Sequence, residues 1–238
     1  MSNINKICWF GHSAIFLSSQ SEVIAIDPWL NHNPACPKQY QSPQQLDLIV
    51  LSHGHSDHAG DVVRLAKEYN CLVCATFELA NLLSLNGVPQ KNIIGMNKGG
   101  SITWHDFTIS LTHAVHSNSY TLTNGESKYA GEACGVVIND GLNSFYHAGD
   151  TDIFADIELI KEIYEPNYAF LPIGDLFTMG PRTAAMATKL CGSKTVIPIH
   201  YGTFPALTGT AEDFCKYCQE ISPKTEVKIL KVGEELSL

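Results

Sequence analysis

Leu46-Asp47-Leu48-Ile49-Val50-Leu51-Ser52-His53-Gly54-His55-Ser56-Asp57-His58 joins an apolar run to a cluster of three histidines and one aspartate. The apolar run is typical of a strand buried on both faces. After the cluster, apolar residues from Ala59 to Tyr69 recur at helical spacing. We therefore predict that the cluster lies on a strand-to-helix turn, at the carboxyl end of a strand, where α/β folds place ligand sites.

The spacing H-x-H-x-D-H supplies the donors that a borderline-soft divalent metal prefers. Imidazole nitrogen and carboxylate oxygen bind zinc-like ions at about 2.0–2.2 Å. Side chains so close in sequence point in different directions, which favours two adjacent metals over one. The competing interpretation is that Asp57 only caps the following helix and that the histidines cluster by chance.

Composition restricts the class of protein. A chain of 238 residues with a net charge of −9 can bury a full core, and it contains no basic run that would displace the counterions of a nucleic acid. No apolar run approaches the roughly 20 residues of a membrane span, so no membrane partner is expected. The amino terminus lacks a signal pattern, which predicts a cytoplasmic protein. We expect a small-molecule substrate, and the sequence leaves a homo-oligomer open.

The eight cysteines include two C-x-x-C pairs, Cys71/Cys74 and Cys215/Cys218. The first pair lies in a strand-like run, where its side chains would face opposite ways. The second lies in a helical stretch, where residues three apart share a face. Reduced, buried thiols are expected rather than a shared structural zinc.

The remainder of the chain alternates strands and helices without a linker or repeat, which predicts one domain over residues 1–238. Strands dominate early and alternate with helices later, which indicates two stacked mixed sheets with helices outside them. Residues 117–131 are polar and predict a mobile loop. The last strand is expected near Val227–Val232.

Further metal ligands are predicted at three later strand ends, where a polar residue follows an apolar strand: His116, Asp150 and His200. Each alone is more often an ordinary buried histidine or a cap. Together with the first cluster they make seven ligands, enough for two metals with open positions. His113 competes with His116, and spacing alone does not choose between them.

The ordered motifs resemble those of the metallo-β-lactamase superfamily: an Asp after a strand, H-x-H-x-D-H, a lone His, a lone Asp and a final His. A closer resemblance, to small metal-dependent hydrolases similar to ascorbate-6-phosphate lactonases, rests on Phe10–Ala14, Tyr146–Thr151, Leu171–Asp175 and Phe177–Pro181. The resemblance implies an α/β fold, the four-layer αββα sandwich of two mixed β-sheets flanked by helices.

The same resemblance implies roles for individual residues. His53, His55 and His116 would hold one metal, and Asp57, His58 and His200 the second, with Asp150 bridging. The family pattern favours His116 over His113. Residues expected to orient ligands or loops are His12, Asp27 and His147, whereas Asp175 is either a substrate contact or a turn residue. Leu176 and Arg182-Thr183 depart from the closer family, which leaves the substrate open.

The sequence therefore predicts a metal-dependent hydrolase. A hydroxide held between two divalent ions would attack a carbonyl or phosphoryl centre, and Asp57 and Asp150 would orient that hydroxide. Zinc is the expected metal, with manganese, nickel and iron as alternatives. Two other hypotheses are a redox di-iron enzyme, disfavoured by His55 where such proteins carry Glu, and a metal-binding protein that has lost catalysis.

Overall fold

The computed structural model describes residues 2–238 as sixteen strands and six α-helices. The strands are β1 Lys6–Trp9, β2 Ile15–Ser18, β3 Val23–Ile26, β4 Leu48–Val50, β5 Leu72–Thr76, β6 Ile93–Met96, β7 Ser101–Trp104, β8 Phe107–His113, β9 Ser119–Thr121, β10 Ser127–Tyr129, β11 Cys134–Asn139, β12 Ser144–His147, β13 Tyr168–Pro172, β14 Thr195–Ile199, β15 Glu226–Val227 and β16 Glu235–Ser237. The helices are α1 Ser56–Ala59, α2 Val62–Tyr69, α3 Phe77–Leu85, α4 Ile157–Tyr164, α5 Pro181–Cys191 and α6 Ala211–Ile221.

Two seven-stranded mixed sheets stack on each other. The first has the order β16-β1-β2-β3-β4-β5-β6, antiparallel up to β3 and parallel from β3 to β6. The second has the order β15-β14-β13-β12-β11-β8-β7, parallel from β12 to β15 and antiparallel elsewhere. The short strands β9 and β10 form a separate hairpin.

The layers follow from the period-two alternation of the strands. In and after β4, Leu48 and Val50 enter the core between the sheets, whereas Ile49 and Leu51 pack with the apolar faces of α2 and α3. On the other side, the small residues of α5 and the ring of Phe214 on α6 cover the second sheet. The four residues Leu48 to Leu51 are all fully buried, and burial of each large apolar side chain stabilises the fold by about 1.5–3 kcal/mol. The predicted αββα sandwich is therefore confirmed.

Strand direction determines where the polar turns meet. The three parallel strands β12, β13 and β14 end at one edge of the second sheet. The carboxyl end of β4 reaches the same edge from the first sheet, because Cys134 at the start of β11 donates its backbone N–H to Ser52 O at 3.0 Å. Turns from both sheets therefore converge along one edge of the sandwich.

Three local predictions are wrong. The helix expected over 59–69 is interrupted after Ala59, where the Asp61 carboxylate turns inward and accepts hydrogen bonds from the backbone N–H groups of Leu30 and Asn31. The segment 117–131 contains the β9–β10 hairpin instead of being loop throughout. The last strand of the chain is β16 and not Val227–Val232, and it pairs with β1 in the first sheet.

The cysteines are free thiols in the described part of the chain; seven are buried, whereas Cys215, expected to be buried, is half-buried on the outer side of its helix. Cys74 lies in the core between the sheets and Cys71 on the helix side, so the two side chains face opposite ways. Cys215 and Cys218 both lie on α6, and no group of side chains in residues 2–238 that could hold a metal includes a cysteine. No helix within residues 2–238 has both the length and the apolar character to cross a membrane.

Candidate metal centre

One group of possible ligands consists of His53, His55 and His116, each offering a ring nitrogen within 4.8 Å of the others. His53 Nε2 lies 3.0 Å from His55 Nδ1. The ring of His116 stands 5.1 Å from that of His53 and 5.2 Å from that of His55, edge to face. Three imidazoles converging in this way can occupy three positions of a tetrahedral site and leave one open.

A second group consists of Asp57, His58 and His200, joined by His12, with one ligand atom each within 4.8 Å of the others. The sequence predicts that His12 only orients ligands. Its Nε2 lies 3.2 Å from Asp57 Oδ2 and its Nδ1 lies 2.9 Å from Thr203 Oγ1. Both ring nitrogens of His12 therefore have partners, whereas the Nε2 atoms of His58 and His200 have none in the described chain.

Asp150 lies between the two groups. Its Oδ1 is 3.3 Å from His58 Nε2, and its Oδ2 is 3.1 Å from His200 Nε2 and 3.7 Å from His116 Nε2. The preceding Gly149 has φ +62°, and an added Cβ would stand 2.6 Å from Ser52 Cβ. Glycine is therefore required where the turn that carries Asp150 crosses the turn that carries His53.

Asp27 supports two of the histidines on the sides of their rings that face away from the cluster, His58 directly and His53 through Ser52. Its Oδ2 lies 2.8 Å from His58 Nδ1, and its two oxygens accept from Ser52 N at 2.8 Å and Ser52 Oγ at 2.5 Å. The same Ser52 Oγ is 2.9 Å from His53 Nδ1. These contacts fix both rings with Nε2 directed at the cluster, the arrangement that carboxylates produce behind metal-ligating histidines.

The local electrostatics keep the donors in metal-binding forms. Burial lowers the pKa values of His53, His55 and His116, which favours neutral imidazole. Burial alone would raise the pKa of Asp150, but the positive charges of His200 and His58 hold it well below its ordinary value. Burial likewise opposes ionisation of Asp57, but the hydrogen bond from His12 and the charges of His58 and His12 together outweigh it, so the pKa of Asp57 is lowered.

His58 has the opposite shift. Although burial disfavours its charged form, Asp150 and Asp27 on either side raise its pKa well above the ordinary value. A positive charge is thus strongly favoured at the point where His58 Nε2 faces Asp150. In the metal-free protein a proton supplies that charge, and a bound cation would displace it.

Three buried polar atoms that face one another in the cluster lack a hydrogen-bond partner in the described chain: His58 Nε2, Asp150 Oδ1 and His200 Nε2. The contacts of about 3 Å among them are close but poorly aligned for hydrogen bonding. Unpaired buried polar atoms cost roughly 1–3 kcal/mol each. Donors of nitrogen and oxygen that converge and remain unpaired fit a divalent metal, which would satisfy them together.

The rival His113 does not face the cluster. It is exposed, its Nδ1 lies 3.1 Å from Lys98 Nζ, and its ring packs edge to face on Phe154 at 5.0 Å. The end of β8 directs alternate side chains to opposite sides, and the turn after it brings His116 to the site instead. The geometry therefore favours His116.

Two other predicted residues lie outside the donor set. His147 is buried, its Nε2 donates to Ser13 O at 2.9 Å, and its Nδ1 accepts from Gly149 N at 3.1 Å, so it braces the Asp150 turn. Asp175 is exposed at φ +65°, and its Oδ1 accepts the backbone N–H of Leu176 at 2.8 Å. That contact is what a turn residue makes.

Three contributors to the site were not predicted: Ser52, Asn118 and Thr203. Asn118 Oδ1 accepts Gly54 N at 2.9 Å and its amide donates to Ala130 O at 2.9 Å, which ties the His53–His55 turn to the segment after His116. The adjacency of Ser52 to His53 is a signal visible in the sequence. Asn118 and Thr203 stand in polar loops, where nothing local distinguishes them.

Comparison with known proteins places these features in a family. The model of the β-lactamase superfamily domain matches residues 23–201. A UPF0173 metal-dependent hydrolase of Koribacter versatilis is 41% identical, covering 98% of this chain and 97% of that protein. Another from Methanosarcina barkeri is 40% identical, covering 98% of each.

One solved structure is similar to this chain in both fold and sequence. Igni18, described as a novel metallo hydrolase from Ignicoccus hospitalis, superposes with a TM-score of 0.86 at 32% identity, covering 99% of each chain. None of these relatives is described as an ascorbate-6-phosphate lactonase, so that closer likeness stays a prediction. By sequence, fold and extent of coverage, the chain belongs to the metallo-β-lactamase superfamily, in the UPF0173 family of metal-dependent hydrolases.

Proposed function

We propose that the protein hydrolyses a small carbonyl or phosphoryl substrate at a centre of two divalent metals, zinc being the expected ion. His53, His55 and His116 would hold one ion, and Asp57, His58 and His200 the other. When bound, such ions lower the pKa of water and polarise the acceptor oxygen of a lactone, ester or phosphoester. The observation that carries the proposal is the position of Asp150 between the two groups of donors, with its Oδ1 and the Nε2 atoms of His58 and His200 unpaired in the described chain.

The chain's own residues have separate tasks in this proposal. Asp27 and Ser52 keep the protons of His58 and His53 on Nδ1, which leaves each Nε2 free as a donor atom. Asp57 and Asp150, both ionised, orient the attacking water by accepting its hydrogen bonds. The side chain of Asp57 is 30% exposed, so it faces the open side from which a substrate enters.

The two other hypotheses receive less support. His55 supplies a nitrogen donor in the first group, at the position where a redox di-iron relative would carry Glu. Sites that have lost catalysis tend to lose ligands, whereas donors from all seven predicted residues lie together here. The acidic net charge of −9 supports a small-molecule substrate over a nucleic acid.

Metal analysis of gently purified protein tests the proposal first, with about two ions per chain expected. A screen of lactones, esters, phosphodiesters, thioesters and β-lactams then identifies the reaction, with Asp150→Asn as the inactive comparison. Activity that survives exhaustive chelation, or protein that takes up no divalent ion, would overturn the proposal.

A further inference from the structure

The loop between β13 and α5, residues 173–180, lies beside the metal centre. Its strand β13 runs parallel between β12 and β14, whose ends carry Asp150 and His200. Met179 N donates to Thr151 O at 3.1 Å, and a Cβ on Gly174 would stand 2.2 Å from His200 O. Both ends of the loop are therefore fixed against the turns that carry proposed ligands.

The tip of this loop is held in an uncommon backbone conformation. Asp175 and Leu176 are consecutive non-glycine residues with positive φ, +65° and +58°. A left-handed conformation is unfavourable for a residue such as leucine, because its Cβ approaches the following carbonyl oxygen. Asp175 N donates to Met179 O at 3.1 Å and Phe177 N donates to Asp175 O at 2.6 Å, so the tip is held by its own hydrogen bonds. Strain that surrounding structure maintains next to a site indicates a functional constraint.

The strained tip presents apolar side chains to solvent. Leu176 is 63% exposed and Phe177 is 58% exposed. Val115, next to His116, is 43% exposed and is fixed by hydrogen bonds to Thr151 Oγ1 and Asp152 N. Apolar surface held in place on two sides of the Asp150 turn gains free energy only when a ligand covers it.

We propose that Leu176, Phe177 and Val115 form an apolar lip that binds an uncharged aliphatic or aromatic group of the substrate next to its scissile bond. The inference deepens the proposed function and rests on it. Thr151, which follows the proposed bridging residue Asp150, joins the two parts of the lip, because its O accepts from Met179 N at 3.1 Å and its Oγ1 accepts from Val115 N at 3.0 Å.

Binding of alkyl hydroxamates to the zinc-loaded protein tests the lip without turnover, because the hydroxamate head binds metal while the chain length varies. By calorimetry we expect octanohydroxamate to bind at least about 10-fold more tightly than acetohydroxamate to the wild type. The double variant Leu176→Asn, Phe177→Ser should lose most of that preference and leave acetohydroxamate affinity within about 2-fold. Asparagine tolerates positive φ, so the loop conformation is preserved.

Leu142→Asn is the matched control, because Leu142 is 71% exposed in the β11–β12 turn, at the opposite end of β12 from Asp150. It should keep the full chain-length preference. Equal affinity of the wild type for both hydroxamates, or an unchanged preference in the double variant, would overturn the lip. Protein that prefers the longer chain and loses this preference in the double variant, yet hydrolyses nothing, would refute the hydrolase alone and support the lip.

Discussion

Asp27→Asn is the most informative single substitution, because one buried carboxylate controls the proton positions of two proposed ligands. The amide oxygen would keep the contact with Ser52 N, which leaves the NH₂ group facing His58 Nδ1 and Ser52 Oγ, now 2.8 and 2.5 Å from Asp27 Oδ2. His58 Nδ1 must then accept, so its proton moves to Nε2. Ser52 Oγ would turn to donate to His53 Nδ1, with the same consequence for His53.

A histidine protonated on Nε2 cannot donate that nitrogen to a metal. Loss of an orienting partner behind one ligand typically costs 10–100-fold in metal affinity, about 1.4–2.7 kcal/mol. Since Asp27 acts on His58 directly and on His53 through Ser52, we expect Asp27→Asn to weaken zinc binding by about 100-fold. Ser52→Ala, which disturbs only the His53 branch, should cost about 10-fold.

The assay is zinc competition against a chromogenic chelator, with metal-free protein refilled by titration. Asp140→Asn is the control, because Asp140 is equally buried and accepts three backbone N–H bonds, from Ile4, Leu142 and Asn143, at the far end of the sheet. It should lower thermal stability and leave zinc affinity unchanged. Zinc affinity of Asp27→Asn within about 2-fold of wild type would refute the proton-position reasoning.

Four further outcomes are expected. His116→Ala should lose one metal by elemental analysis while His113→Ala keeps both, and the reverse would transfer the ligand role to His113. Asp150→Asn should fold, as circular dichroism would show, yet lose at least about 100-fold in activity because the charge between two cations is gone; unchanged activity with both metals retained would contradict the bridge. Chelation should abolish hydrolysis and added zinc should restore it; hydrolysis that continues without metal would contradict a catalytic role for the metal. Burial lowers the pKa of His12 to about 4, so the unfolded chain binds a proton that the folded protein does not, and His12 alone should cost the metal-free protein up to about 3 kcal/mol as pH falls from 6.5 towards 4. In urea unfolding His12→Asn should lose less stability over this range than the wild type, and an equal loss would contradict the assignment.

The sequence predicted the parts of the site that alternation and strand ends determine. The buried run from Leu46 to Leu51 and the polar residues after each apolar strand follow directly from period-two patterning, so His53, Asp150 and His200 were identifiable. Their convergence depends on parallel strands ending at one edge, which the alternation of strands and helices also indicates. The alternation of strands and helices predicted two stacked sheets with helices outside them, the family resemblance implied the same layers, and the three apolar clusters agree with both.

The misses share a physical cause, which is dependence on contacts distant in sequence. The hairpin β9–β10 lies in a polar segment, and its lone buried ring, Tyr120, packs against the first sheet's helices. The pairing of β16 with β1 joins segments more than 200 residues apart, so no local pattern marks it. Thr203 reaches His12 only because His200 N donates to His12 O at 2.9 Å, which the fold supplies.

The seven proposed ligands come from both sheets, so bound metals would link the two sheets of the sandwich. His53, His55, Asp57 and His58 follow β4 of the first sheet, whereas the other three follow strands of the second. The ligand sets are complete only while the two sheets are stacked, so the free energy of metal binding would add to the free energy of folding. At a free metal concentration 100 times the dissociation constant, that linkage amounts to about 2.7 kcal/mol per ion. Metal removal would therefore weaken the packing between the two sheets, and we expect backbone amide hydrogen exchange to become faster in both sheets at once.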